Sequence, residues 1–214
     1  MPTPEPLWCQ PAPPDTHPIP RDGRRHCGNL ERILRRQWDP HLGPPASELV
    51  HVIDDLAELP AHIATRLAEN YDAIWVGEGS VCDLDHLGHL RGQPVRPGDP
   101  ASPSWDVVPG LCTPKLIALG TRDHVSASLV HHEIGHALDL LDGLSGSADW
   151  QTIMGMVWKH LTHPRYRHGA EWFAEAFALV ATRQASRLLR MLDGQDNLAA
   201  LVWTYFRRNY GVGS

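Results

Sequence analysis

The chain reads as an α/β (α+β) fold: a small mixed sheet packed on a helix that carries a metal-binding motif, followed by a helical C-terminal half. Three observations predict it. Short runs that suit strands, at residues 48–53, 73–77 and 116–119, lie in the first part of the chain. A five-residue stretch, His132-Glu133-Ile134-Gly135-His136, sits inside an apolar pattern of helical period. Beyond residue 148 every periodic segment is helical, and residues 172–180 are apolar almost all round, as in a buried helix. Strands first and helices after is the order of a sheet with helices packed on it.

Taken from the N-terminus, residues 1–24 are rich in proline and show no apolar periodicity, so they read as an extended, disordered leader. Asn29–Trp38 suits one or two basic helical turns, and Pro40, Pro44 and Pro45 punctuate the next stretch. This divides the chain into a leader, 1–45, and a domain, 46–214. Glu48–Ile53 alternates like a strand. Asp55–Glu69 places Leu56, Leu59, Ile63 and Leu67 at near-helical spacing, with Pro60 in its first turns. Ala73–Gly77 suits a short buried strand, residues 91–104 a Pro/Gly-rich loop, and Leu116–Leu119 another strand. Helices are expected at 125–141, 148–161, 170–190 and 196–208. No internal repeat is present.

Composition narrows the function classes. A net charge of −6 gives no electrostatic basis for nucleic-acid binding, and the cluster Arg21, Arg24, Arg25, Arg32, Arg35 and Arg36 reads as solvated surface. No run of about 18 apolar residues exists, so no membrane span is expected. The first residues lack the basic start and apolar run of a secretory signal, which points to the cytoplasm or to a signal-independent export route. Cys9, Cys27, Cys82 and Cys112 have no C-x-x-C spacing, hence neither a disulfide framework nor a thiolate metal site is read, and the count suits a reducing compartment. Oligomeric state is not legible at this level.

The chemistry concentrates at residues 132–136, which spell H-E-x-x-H. Positions i and i+4 of a helix share a face, so both imidazoles reach one metal ion, and the intervening Glu133 lies where it can take a proton from water. Val130, Ile134, Ala137, Leu138 and Leu141 form the packing stripe, while His132, His136 and Asp139 fall on the opposite side. Ser126 or Ser128 suits the helix start and Gly143 its end. A hydrolytic zinc takes three protein ligands and keeps one position open, implying one zinc ion per chain. Two candidates exist for the third ligand. The close one follows H-E-x-x-H-x-x-G-x-x-H; here Asp139 stands at the Gly position and Asp142 at the last His, so the glycine turn is missing. The distant one is Glu171, in Glu171-Trp172-Phe173-Ala174-Glu175-Ala176-Phe177. Glu171 and Glu175 share a face of an apolar helix, and buried carboxylates are expensive unless paired or metal-bound. On this reading Glu171 is the ligand and Glu175 accepts a hydrogen bond from the free ring nitrogen of a zinc histidine. Asp139 is a second such partner or a solvated residue.

The segments His131–Asp139 and Glu171–Phe177 together resemble the catalytic domain of anthrax lethal factor and the related Pro-Pro endopeptidases. Trp105-Asp106-Val107-Val108-Pro109-Gly110 is similar to the W-D-x-V-P-G segment that precedes the zinc helix in the latter branch. The resemblance covers residues 48–210. It implies a zincin-like metallopeptidase fold and single-zinc hydrolysis of peptide or protein substrates, with His132, His136 and Glu171 as ligands and Glu133 as general base. It also suggests proline near the cleaved bond. A tyrosine that can help stabilise the oxyanion stands seven residues before the third ligand in that family. Here that position is Pro164; Tyr166 is the nearest substitute, with His163 and His168 as other donors. An extended substrate is expected to pair with the strand made by Lys115, Leu116, Ile117, Ala118 and Leu119, and Trp105 can stack on a substrate proline or simply pack. The competing class is a non-catalytic zinc protein that binds a regulatory partner; such a protein has no use for Glu133.

Overall fold

The computed structural model describes residues 10–39, 41 and 43–213. The first nine residues, including Cys9, and Pro40 lie outside the described set, so the expectations that fall on them are not addressed. The chain forms two compact units, residues 1–124 and 125–214.

The first unit holds a four-stranded mixed sheet of β1 (Leu34–Gln37), β2 (Ala73–Gly77), β3 (Gly110–Cys112) and β4 (Leu116–Leu119), in the order β1-β2-β4-β3. β1, β2 and β4 run parallel, with Ile74 opposite Leu34 and Ile117, and β3 closes one side antiparallel to β4. Strands β2 and β4 stand where the apolar runs predict them. Three other expectations are corrected. The basic stretch 29–38 gives a short 3-10 turn, Gly28–Arg32, and then strand β1. Residues 48–53 are helical: α1 (Ser47–Ala57) buries Leu49, Val52, Ile53 and Leu56, a spacing of i, i+3, i+4 and i+7 that fits a helix better than alternation. The helix expected over 55–69 is split, because Pro60 lacks an amide hydrogen and favours extended backbone before it; α1 ends just before Pro60 and α2 (Ala61–Asn70) begins just after it. Leu30, Leu49, Ile53, Leu56, Ile63, Leu67, Ile74 and Val76 make the core of this unit. Trp105 is half-buried against a second cluster built on Val81, Cys82, Leu84 and Leu87.

The second unit is all helical: α3 (Leu129–Asp142), α4 (Ala148–Val157), α5 (Gly169–Ala181), α6 (Ala185–Met191) and α7 (Asp196–Tyr210). Every residue from Trp172 to Val180 is buried, as its apolar composition demands. Trp150, Phe173, Phe177, Tyr205, Phe206 and Tyr210 pack around α5, mostly edge-on or tilted and with Phe206 stacked on Tyr210, at ring centroids 5.0 to 6.4 Å apart. The helix expected over 170–190 breaks at 182–184, where Arg183 takes a left-handed φ of 57°. No helix among the described residues is long and apolar enough to cross a membrane.

Candidate metal centre

Helix α3 is well defined at both ends. Ser128 accepts the amide of His131 at its start, and Gly143, with φ 65°, ends it by returning its N–H to Asp139 O. Between these caps the helix turns His132, Glu133 and His136 toward α5. The approach is close because residue 135 is glycine. A Cβ there would stand 2.7 Å from Ala174 Cα and 3.0 Å from its carbonyl oxygen, nearer than packed atoms tolerate. The pair Gly135–Ala174 thus brings the two helix backbones together, and the side chains around it meet.

His132 Nε2 and His136 Nε2 lie 3.2 Å apart. The Glu171 carboxylate completes the group, 3.5 Å from His136 Nε2 and 3.9 Å from His132 Nε2. One ligand atom from each of the three residues lies within 4.8 Å of the others, the arrangement of a site able to hold a metal ion. The other face of His132 is occupied: its Nδ1 stands 3.1 Å from Glu175 Oε2. Glu175 is 0% exposed, and its second oxygen accepts the amide of Ala127 at 2.9 Å. A carboxylate on Nδ1 fixes the tautomer that leaves the Nε2 lone pair directed at the cluster. Two imidazole nitrogens and one carboxylate oxygen form a donor set suited to zinc.

The electrostatics depend on the same geometry. Burial works against the Glu171 anion, but the His136 hydrogen bond and the charges of His136, His132 and Arg165 outweigh it and hold the carboxyl down at about 2. Burial also disfavours the charged form of His136, yet the Glu171 hydrogen bond and the Glu133, Glu171 and Asp139 charges leave its pKa raised. Glu133 is buried, and burial pushes its carboxyl up against the opposing charges of His132 and His136.

The other expected residues take varied positions. Asp139 Oδ1 accepts the amide of Ser145 at 2.6 Å and anchors the turn after α3, acting on His136 through its charge. Asp142 accepts the Tyr210 hydroxyl at 2.8 Å, and α3 continues through it without the turn a close third ligand needs. Tyr166 is 4% exposed, between His163 and Trp172; burial and the Glu175 charge push its phenol up to about 12. The strand of Lys115 to Leu119 needs a correction. Lys115 precedes β4, is exposed, and donates to Asn70 O at 3.3 Å. Both edges of β4 are already taken by β2 and β3, so no peptide strand can add to it; the outer strand on that side is β3.

Four further residues escape the sequence reading. Gly135 is silent in the H-E-x-x-H pattern, although a small residue between the histidines is a signal for close packing. Arg165 donates from Nε to Glu171 Oε2 at 3.1 Å. Gln184 donates to Ala127 O at 3.0 Å, and Arg187 donates to Val125 O and stands 3.7 Å from Glu175 Oε1. The last two reach the extended entry to α3 only because the chain bends at Arg183, which no periodicity announces.

A profile of the family "Anthrax toxin lethal factor, N- and C-terminal domain" matches residues 44–191, well over half of the chain. The chain belongs to this family. Among solved structures, the Pro-Pro endopeptidase PPEP-2 from Paenibacillus alvei superposes on this member of the lethal factor family with a TM-score of 0.68 at 20% identity. The match covers 86% of this chain and 100% of that one, and shows the shared fold. No curated protein sequence matches the chain.

Proposed function

We propose that this lethal factor family member is a zinc-dependent endopeptidase, with one zinc ion held by His132, His136 and Glu171. The observation that carries the reading is the convergence of those three ligand atoms beside a buried Glu133 on the same helix as the histidines. Zinc bound to such a set lowers the pKa of water toward neutrality and polarises a carbonyl. The chain's own residues do the rest. Glu175 holds His132 by its Nδ1 and keeps Nε2 free to bind. Glu133 accepts the proton released by the attacking water and returns it to the leaving amine nitrogen. A preference for proline beside the cleaved bond is supported by the fold shared with a Pro-Pro endopeptidase.

A diverse peptide library incubated with the zinc-loaded protein, with and without a chelator, tests the reading and reports sequence preference. Chelator-sensitive cleavage is expected. Glu133→Gln should abolish cleavage while one zinc per chain remains bound. Cleavage that persists in the metal-loaded variant removes Glu133 from the mechanism. Zinc binding with no cleavage of any peptide would favour the non-catalytic, partner-binding class.

A further inference from the structure

Arg165 and Tyr166 are adjacent, yet the short 3-10 turn Pro164–Arg167 sends them in different directions. With three residues per turn, neighbours point about 120° apart. Tyr166 takes the inward direction at 4% exposure. The Arg165 side chain is 46% exposed and reaches Glu171 Oε2 through Nε at 3.1 Å. The turn itself is held, since Pro164 opens it and His163 Nδ1 accepts the Arg165 amide at 3.2 Å. A half-exposed guanidinium therefore stands beside Glu171 of the His132–His136–Glu171 cluster, with N–H groups on Nη1 and Nη2 that the Glu171 bond does not use.

Pairing with Glu171 accounts for only part of what that cation can do. A positive charge beside a ligand carboxylate draws electron density away from the ligand and repels a second cation. It is suited instead to negative charge that arises during reaction.

We propose that Arg165 is the side-chain donor to the oxyanion of the substrate carbonyl, the role that the family resemblance assigns to a tyrosine. The proposal rests on the peptidase reading. In the step concerned, the water oxygen bonds to the carbonyl carbon, the C=O π pair moves onto the carbonyl oxygen, and the water proton passes to Glu133. On collapse the pair returns, the C–N bond breaks and the proton goes to the amine nitrogen. Arg165 faces the oxygen that carries the pair in between.

The test compares zinc-loaded wild type, Arg165→Gln, Arg165→Lys and Tyr166→Phe, with folding checked by circular dichroism and zinc content by atomic absorption. On a peptide cleaved by the wild type, Arg165→Gln should lower kcat by about 10²- to 10³-fold, the loss typical of one oxyanion donor, with KM changed much less. Arg165→Lys should restore part of it, and the Gln loss should exceed that of Tyr166→Phe about tenfold or more, since only one of the two is the donor. Calorimetric binding of N-phosphoryl-leucinamide, a tetrahedral anion, should weaken about 10- to 100-fold in Arg165→Gln, the range for a charged hydrogen bond. A larger loss in Tyr166→Phe overturns the proposal. So does zinc loss in Arg165→Gln, which would make Arg165 a holder of Glu171. If the wild type cleaves nothing, the peptidase reading fails separately, and unchanged phosphoryl binding in Arg165→Gln then overturns the donor role on its own.

Discussion

At the scale of single residues, buried charge is matched to a built partner at two places in this protein. Glu175 is the clearest case. Its two oxygens are divided between His132 Nδ1 and the Ala127 amide, so the same carboxylate orients a proposed ligand and fixes the entry to its helix. Glu175→Gln keeps the shape but removes the charge that selects the tautomer. Zinc affinity should fall about 10- to 100-fold, measured by competition with a chelating indicator; unchanged affinity would show that Glu175 only packs. Away from the metal centre, Glu31 and Arg36 form a two-pronged pair at 2.8 and 2.9 Å, with side chains 18% and 5% exposed. Burial works against the Glu31 anion, but the Arg36 hydrogen bonds and charge, with the Cys27 amide, lower its pKa below 4.5. A carboxyl depressed in the folded state stabilises fully above its unfolded value and loses that contribution as pH falls through its folded value. Stability should therefore decline below about pH 4.5. Glu31→Gln should flatten that acid limb and, by removing the charge paired with a guanidinium that keeps its bonds to Gly23 O and Arg25 O, lower stability at pH 7 by about 1–3 kcal/mol. Urea unfolding near neutral pH and well below the ordinary carboxylate range decides it: a mutant whose loss is equal under both conditions rules the linkage out. His132, Glu133 and His136 are legible from spacing alone because one helix fixes i and i+4, and Glu171 from the cost of a carboxylate on an apolar helix. Arg165, Arg187 and Gln184 are not, because their contacts depend on a turn and a helix break.

At the scale of elements, the governing contact is α3 against α5. It is made possible by Gly135, where the backbone of Ala174 fills the space a Cβ would need. Gly135→Ala favours the helix intrinsically by about 1 kcal/mol. The clash works the other way, and overpacking of this kind costs about 1–3 kcal/mol. Because the atom met is backbone, no rotamer relieves it, and the net change should be destabilising with α3 pushed away from Glu171. The expected result is a lower Tm together with weaker zinc binding, against a wild-type helix content by circular dichroism. A stable variant with unaltered zinc affinity would show that the approach is slack. Elements are legible where one physical signal dominates: α5 from its apolar composition, α3 from its stripe and caps, β2 and β4 from short buried runs. Residues 48–53 mislead because Val50-His51-Val52 alternates over a short stretch, although Leu49, Val52, Ile53 and Leu56 keep helical spacing. β1, with its sequence Leu-Arg-Arg-Gln, carries almost no apolar signal; parallel pairing with β2 makes it a strand.

At the scale of the whole molecule, the coupling of metal to fold is the property most open to measurement. The three proposed ligands come from two helices, α3 and α5, that are separated in sequence by the whole of α4 and held together by apolar packing. An ion that binds them together binds the folded state and not the unfolded chain, so it stabilises by mass action. At free zinc about 100-fold above its dissociation constant, the gain is about 2.7 kcal/mol. For a chain of this size each kcal/mol moves Tm by about 2–4 °C, so zinc should raise Tm by about 5–10 °C on the same basis. Scanning calorimetry with and without a chelator measures it. His136→Ala, which deletes the less buried of the two histidine ligands, should abolish most of the zinc-dependent increment. Glu133→Gln should preserve it, because the proposed base accepts a proton and is not among the three proposed ligands. A variant of Glu133 that loses the increment along with activity would make residue 133 a ligand, and the division of labour along α3 would have to be redrawn.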